Sequence, residues 1–499
     1  MILKRKEEGV STYLYIILFY LLVLAGFNVY RARKIKTQED FMVAGRTVKT
    51  WVLVFTLICT WIGSGTFIAG AEFATKAGLS AIWMPAGAFL GIILVYFLAA
   101  KVRTFGQYTI GDILETRYGP GARLFGAVAI IISFVAMVSY QFVAGGFILN
   151  VVTDGAIPDS VGTIIAAVLV ILFTALAGMV AVIYTDLPNG IIIVLACLTS
   201  LPFVYLAAGG WNQATQALGP SYFAVINQQF GVHPALKAGG YFLSVMLLLM
   251  GVQSMYQKFY SARTPRDAKK AVIFWTIGTI FVESVVVVIA VFAYSRLKDQ
   301  IDLTIPKEGG KVVLMAARSL VPAPVGVLLL GAACAVVIST GMNYLLSSST
   351  NVMRDIYQRF IKREASQKTM VGLQKIFVVI LGVLAFFLAM RLTSVLQMAL
   401  FAYTIYGVAI TPALIAALVW KRATKAGGLA SIISGTVICI ILKILIEVLP
   451  VDKVIEGDPW GIPIIYPAFL ISAMSLIIVS LLTKKPEASE LEKFFPKSK

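Results

Sequence analysis

Apolar runs of about 20 residues recur along this chain from near its first residue to near its last. Each is long enough to cross roughly 30 Å of hydrocarbon as a helix. In hydrocarbon every backbone N–H and C=O needs an internal partner, so runs of this length read as spanning helices. We place thirteen, at roughly 11–30, 48–73, 79–100, 122–150, 161–178, 183–207, 238–261, 270–296, 321–349, 370–390, 395–419, 427–449 and 462–483. With 59% hydrophobic and 13% charged residues in 499, the expectation is an all-α, polytopic membrane protein embedded in the lipid bilayer. The longest loops leave no room for a soluble domain.

The formal charge of +18 invites a nucleic-acid partner, but the lysines and arginines sit in short loops between spans, as orientation signals do. One face collects Arg31, Arg33, Lys34, Lys36, Arg46 and Lys49, then Lys101, Arg103, Arg117 and Arg123, then Lys258, Arg263 and their neighbours. In all, about 28 of the 42 basic residues fall on that side and about 12 on the other. That balance predicts a plasma (inner) membrane protein with a cytoplasmic C-terminus and an outside N-terminus. Lys4, Arg5 and Lys6 argue the other way for the first span alone. The start resembles a signal peptide but lacks a small-residue cleavage site, so it reads as an uncleaved span. Cys59, Cys197, Cys334 and Cys439 lie scattered in apolar runs without metal spacing. The single histidine, His233, is in a loop, and no Ser–His or carboxylate pair at depth offers catalytic chemistry; we expect no enzyme and no catalytic residues.

Polar residues within the spans carry the functional signal. The second span holds Thr60, Gly63, Ser64, Gly65 and Thr66 near its middle. Glycine weakens helix interiors, and unwinding there would free carbonyls such as those of Thr60 and Gly63. It would also leave a half-helix N-terminus facing any polar solute. The seventh span has Gly251-Val252-Gln253-Ser254 near its middle. Five spans counted from each interruption give two halves, 48–207 and 238–419, and an odd count per half turns one upside down relative to the other, the pattern of an inverted-repeat transporter. The ninth span continues into Ser339-Thr340, Asn343 and Ser347-Ser348-Ser349-Thr350. Val336 and Ser339, three apart, share a helix face, and converging neutral oxygens suit a small hard cation. Tyr140 and Gln141, Glu283, Tyr403 and Tyr406 are further polar groups at depth. Asp186, before Leu187-Pro188, reads either as a helix N-cap or as a cation waypoint. Lys443 and Glu447 are four apart and pair. Thr109 opens a short surface helix.

These residues resemble the sodium:solute symporter family over nearly the whole chain. The resemblance rests on Ser339-Thr340 with Ser-Ser-Ser-Thr and Asp355-Ile356-Tyr357, on Tyr184-Thr185-Asp186, and on Gln141 with Gly145-Gly146. Gly209-Gly210-Trp211, the run Gln257 to Arg263, and Pro412 to Trp420 add to it. It implies a LeuT-like core of inverted five-helix repeats. The parts would be an extra span and loop at 1–47, the first repeat at 48–207, an outer loop and the second repeat at 208–419, and two peripheral spans with a tail at 420–499. It also implies a Na+ site from the carbonyls of Thr60, Gly63 and Val336 and the hydroxyls of Ser339 and Thr340. A second Na+ site is not expected, because Met342 and Asn343 stand where further hydroxyls would be. Asp186 and Asn343 would mark an exit path for the ion.

The function expected is Na+-coupled symport of a small polar organic solute into the cell by alternating access, with the protein working as a monomer. Ser64, Thr66, Tyr140, Gln141, Gln253, Tyr403 and Tyr406 would line the solute. A proton-coupled or facilitative carrier of the same fold is the nearest alternative, told apart by transport that ignores Na+. A transporter-like membrane sensor is the alternative of another class, and would carry a signalling domain.

Overall fold

A computed structural model describes residues 12–24, 26, 30, 38–105, 108–305, 307–364, 366–455 and 457–495. The basic residues Lys4, Arg5, Lys6, Arg31, Arg33, Lys34 and Lys36 lie outside the described residues, as does part of the first span. Among the described residues, eleven helices are long and apolar enough to cross a membrane, and two shorter apolar ones, Thr12–Leu24 and Thr50–Trp61, accompany them. Among the described residues most of the chain is helical, and Val454–Ile455 pairs with Asp458–Pro459 as a short two-stranded turn.

Both expected interruptions are present. Helix α1 (Thr50–Trp61) stops where Ile62 turns extended (ψ 106). The chain restarts through a wide turn at Gly65–Ala69 into α2 (Gly70–Ala77). After α3 (Ile110–Tyr118), α4 (Pro120–Val152) and α5 (Asp159–Ala207) comes the second interruption. There α6 (Pro234–Gly251) and α7 (Gln253–Ser261) are separated by Val252, also extended (ψ 119). Three further helices complete the centre: α8 (Pro265–Leu297), α9 (Ala323–Thr350) and α10 (Val395–Ala409).

Local signals set the helix ends. Thr109 closes a capping box with Asp112 at the start of α3, and prolines occupy the first turns of α4, α6 and α8, where a missing N–H costs nothing. Helix α5 breaks at Gly178, whose positive φ of 53 a side chain would strain. This break overturns the N-cap reading of Asp186: the helix has already restarted, so Asp186 and Pro188 lie inside it.

Burial sorts the helices. Most of α4, α9 and α10 is enclosed, whereas Lys425–Val448 and Ile465–Leu482 show mostly exposed apolar surface, including Ile441, Ile444, Leu470 and Leu481. Exposed apolar faces at spanning length suit contact with hydrocarbon. The broken helices therefore sit at the centre of the bundle.

Candidate functional site

The interruption in α1 divides the centre into two neighbourhoods. On one side the last carbonyls of α1 lack helical partners and form the negative end of its dipole. Helix α9 crosses them so closely that a Cβ on Gly63 would stand 2.9 Å from the Thr340 side chain. The Thr340 hydroxyl donates to the carbonyls of Cys59 (2.9 Å) and Ile62 (3.2 Å). Ser339 donates to one oxygen of Asp186 and Thr56 to the other. The Cys59 thiol reaches the Asp186 carbonyl at 3.1 Å. Lys258 Nζ lies 3.3 Å from Asp186 Oδ2, and both side chains are fully buried. The Thr60 hydroxyl is buried without a hydrogen-bond partner. Asn343 donates to the Ser339 carbonyl at 2.9 Å, and its own oxygen is unpaired. Val336, fully buried, sits one turn before Ser339 and Thr340 on α9.

Gly63 and Thr340 meet where α9 passes the end of α1, Ser339 is linked to α1 through Asp186 and Thr56, and Thr60 and Val336 are buried on the same two helices. Three details differ from expectation. The Gly63 carbonyl is not freed, since the wide turn that follows returns the N–H groups of Thr66 and Phe67 to it, both at 3.1 Å. Thr340 faces the carbonyls of Cys59 and Ile62, and Asp186 belongs to the crossing itself. Lys258, counted above among loop cations, is instead enclosed in α7; the loop begins only after Ser261. The donors are carbonyls, hydroxyls and one carboxylate, all hard oxygens of the kind that hold alkali and alkaline-earth cations.

Beyond the interruption the Ser64 N–H donates to Gln141 Oε1 at 3.2 Å, and the Ser64 hydroxyl is buried and unpaired. The Tyr140 and Tyr403 hydroxyls meet at 3.3 Å. Tyr403 presses its hydroxyl onto Gly65, where an added Cβ would be 2.2 Å away. Thr66 and the indole of Trp61 both donate to Glu283 Oε1, at 3.0 and 3.1 Å. Trp61, Gly65, Thr66, Met84, Glu283 and Tyr403 enclose a cavity of about 20 Å³, room for one water. Thr66 and Tyr403 line this cavity, Tyr140 bonds Tyr403, and Ser64 and Gln141 bond each other; all five are grouped around Gly63–Gly65.

Gln253 and Tyr406 are not. Val252 redirects the chain, so Gln253 starts a new helix and its side chain leaves the cavity. Gln253 Oε1 accepts from Ile110 N (3.2 Å), and Nε2 donates to Asn351 Oδ1 (2.5 Å). Tyr406 spans the α6–α7 interruption, donating to the Gly251 carbonyl (3.0 Å) and accepting from Gln253 N (2.9 Å). Both residues hold the break in place.

Two polar clusters tie separate helices together away from the cavity. On the basic face Arg123 joins Asp112 (2.7 Å), Glu115 (2.5 Å) and Asp355 (2.7 Å), and Thr109 donates to Asp355 at 2.8 Å. The motif Asp355-Ile356-Tyr357 and helix α3 are halves of this one clasp; α3, expected at the surface, is mostly buried because Asp112 and Arg117 find partners inside. At the other face Glu72 on α2 accepts from Ser394 (2.6 Å) and from Leu396 N (3.1 Å), gripping the start of α10.

Glu283 is visible in the sequence as a polar group at depth but its role is not, although a lone carboxylate in an apolar run is a functional marker. Lys258 was missed because its neighbours are loop cations. Thr56 and Cys59 carried no signal beyond their place on a broken helix.

Known proteins resemble this chain in sequence and in fold. The chain is 26% identical over 494 residues to the high-affinity proline transporter PutP of Bacillus subtilis, covering 95% of this chain and 98% of that protein. It is 23% identical to the sodium/proline symporter of Escherichia coli K12, covering 95% and 93%. Among solved structures it resembles a Na+-coupled sialic acid symporter in a substrate-bound outward-open state (TM-score 0.74, 16% identity, 95% and 98% covered). It also resembles the nucleobase-cation-symport-1 family transporter Mhp1 in a closed conformation (TM-score 0.59, 13% identity, 91% and 97% covered). The model of the Sodium:solute symporter family matches residues 41–435, which take in both interrupted helices, the crossing and the cavity; the chain belongs to that family of membrane transporters, and its coupling ion is Na+.

Proposed function

We propose that this protein carries a small polar organic solute into the cell together with Na+ by alternating access. The observation that supports it best is the two-sided break in α1. One side offers freed carbonyls to Thr340; the other faces the cavity at Glu283 and Tyr403. A single segment then senses both cargoes, so occupation of one side can alter the other.

Na+ would be held by the carbonyls of Thr60, Gly63 and Val336 and the hydroxyls of Ser339 and Thr340. The unpaired Thr60 hydroxyl and the hard oxygen set fit that ion. Asp186 and Asn343 would pass it onward, with Lys258 as the countercharge of Asp186 when the ion has left. Ser64, Thr66, Tyr140, Gln141 and Tyr403 would line the solute. The segments 48–207 and 208–419 would act as the two repeats, flanked by 1–47 and 420–499. Rocking of one repeat against the other would undo the clasp at Arg123 and the grip of Glu72 in turn. The cell's plasma membrane, a cytoplasmic basic face and a monomeric unit complete the reading. A potential of about 100 mV adds roughly 2.3 kcal/mol per inward charge.

Uptake into proteoliposomes tests this. Ser339→Ala combined with Thr340→Ala is expected to abolish stimulation by Na+. Persistence of Na+-dependent uptake in that double variant would show that the ion binds elsewhere.

A further inference from the structure

We infer that the transported solute carries a cationic nitrogen, protonated or quaternary, and that Glu283 receives it. The inference rests on the solute-cavity reading above. Glu283 projects from α8 into the cavity at membrane depth and is 5% exposed. Its Oε1 accepts from Trp61 and Thr66. Its Oε2 is buried and has no hydrogen-bond partner, and none of the residues lining the cavity is basic. A carboxylate removed from water needs a compensating charge or donors on both oxygens, and this one has donors on one oxygen only.

The surroundings match a nitrogen cation better than a neutral or anionic head. Trp61 and Tyr403 line the same cavity as Glu283, and aromatic faces attract ammonium groups. The same carboxylate would repel a solute whose only charge is negative. Trp61 and Thr66 flank the α1 interruption, so the charge that reaches Glu283 acts on the segment that meets Thr340. As the walls stand, the cavity of about 20 Å³ has room for one water, so the solute enters with the surrounding side chains displaced. Two sources supply this chemistry, zwitterionic amino and imino acids or betaines, and simple organic cations.

The test uses the purified full-length protein in Na+ or K+ buffer, with melting temperature as the readout. The probes are L-proline and glycine betaine (zwitterions), choline (cation), myo-inositol (neutral) and pyruvate (anion). We expect Na+ alone to stabilise the protein and at least one nitrogen-bearing probe to stabilise it further. Which of them does so separates the zwitterion source from the cation source. Glu283→Gln keeps an acceptor for Trp61 and Thr66 and is expected to weaken that probe at least tenfold while the Na+ shift remains. Glu283→Asp is expected to lie between. The inference is overturned if only myo-inositol or pyruvate binds, if no nitrogen-bearing probe binds, or if Glu283→Gln binds the probe as tightly as the parent. It is also overturned if that variant shifts the pH profile of uptake and leaves probe affinity unchanged, because Glu283 would then hold a proton. Loss of the Na+ shift itself in the parent protein would instead break the symport reading.

Discussion

Two carboxylates lie at membrane depth on opposite sides of the same helix break, and their surroundings are opposites. Asp186 is met on one oxygen by Ser339 and on the other by Thr56 and Lys258. Glu283 has two neutral donors on one oxygen and none on the other. The first is internally compensated and can serve structure with no cargo bound. The second is left for something that arrives from outside the protein. A buried charge is therefore not one signal but two, told apart by what faces it.

The largest effect should come from breaking the compensated site. Lys258→Met leaves Asp186 buried without its cation, at a cost of about 3–5 kcal/mol. Thermal melting in detergent should show a pronounced loss, and adding Asp186→Asn should recover much of it, as a double-mutant cycle would measure. Additive losses would mean that the pair is not the unit described here.

Gly65→Ala probes the cavity side. Its new methyl would meet the Tyr403 hydroxyl at 2.2 Å, an overpacking worth about 1–3 kcal/mol. Uptake should fall sharply, and Tyr403→Phe should restore part of it by removing the clashing atom. No rescue would mean that the clash lies elsewhere.

Gln253→Ala comes next. It leaves the buried Ile110 N–H without its acceptor, costing about 1–3 kcal/mol. Because Gln253 bonds α3 and Asn351 instead of facing the cavity, uptake rate should change while solute affinity stays the same. A selective loss of affinity would return Gln253 to the solute site.

The smallest effect belongs to Lys443→Ala. Lys443 and Glu447 pair at 3.9 Å with both side chains exposed, and exposed pairs contribute about 0–1 kcal/mol. Melting and uptake should be nearly unchanged, which sets the baseline for the buried pair.

Legibility in the sequence followed the range of each interaction. The spans were readable because bilayer thickness acts on contiguous residues. The break at 62–64 was readable because glycine, serine and glycine weaken a helix locally. The capping box at Thr109 and the pairing of Lys443 with Glu447 are contacts three and four residues apart. The role of Gln253 was misread because its side chain is turned away by the neighbouring Val252, and no periodicity records that turn. Of the two readings of Asp186 the cap fails, because Pro188 suggests a helix start that Gly178 has already supplied.

By itself, then, the sequence determined a helical membrane transporter with two interrupted spans, because hydrophobic length and local helix weakness are properties of neighbouring residues. Only the tertiary structure decided that Lys258 faces Asp186 across 72 positions while Glu283 faces no basic side chain in its cavity. Charge compensation in a low-dielectric interior depends on which side chains the fold brings within a few ångströms of one another, and that spacing is absent from the order of the residues.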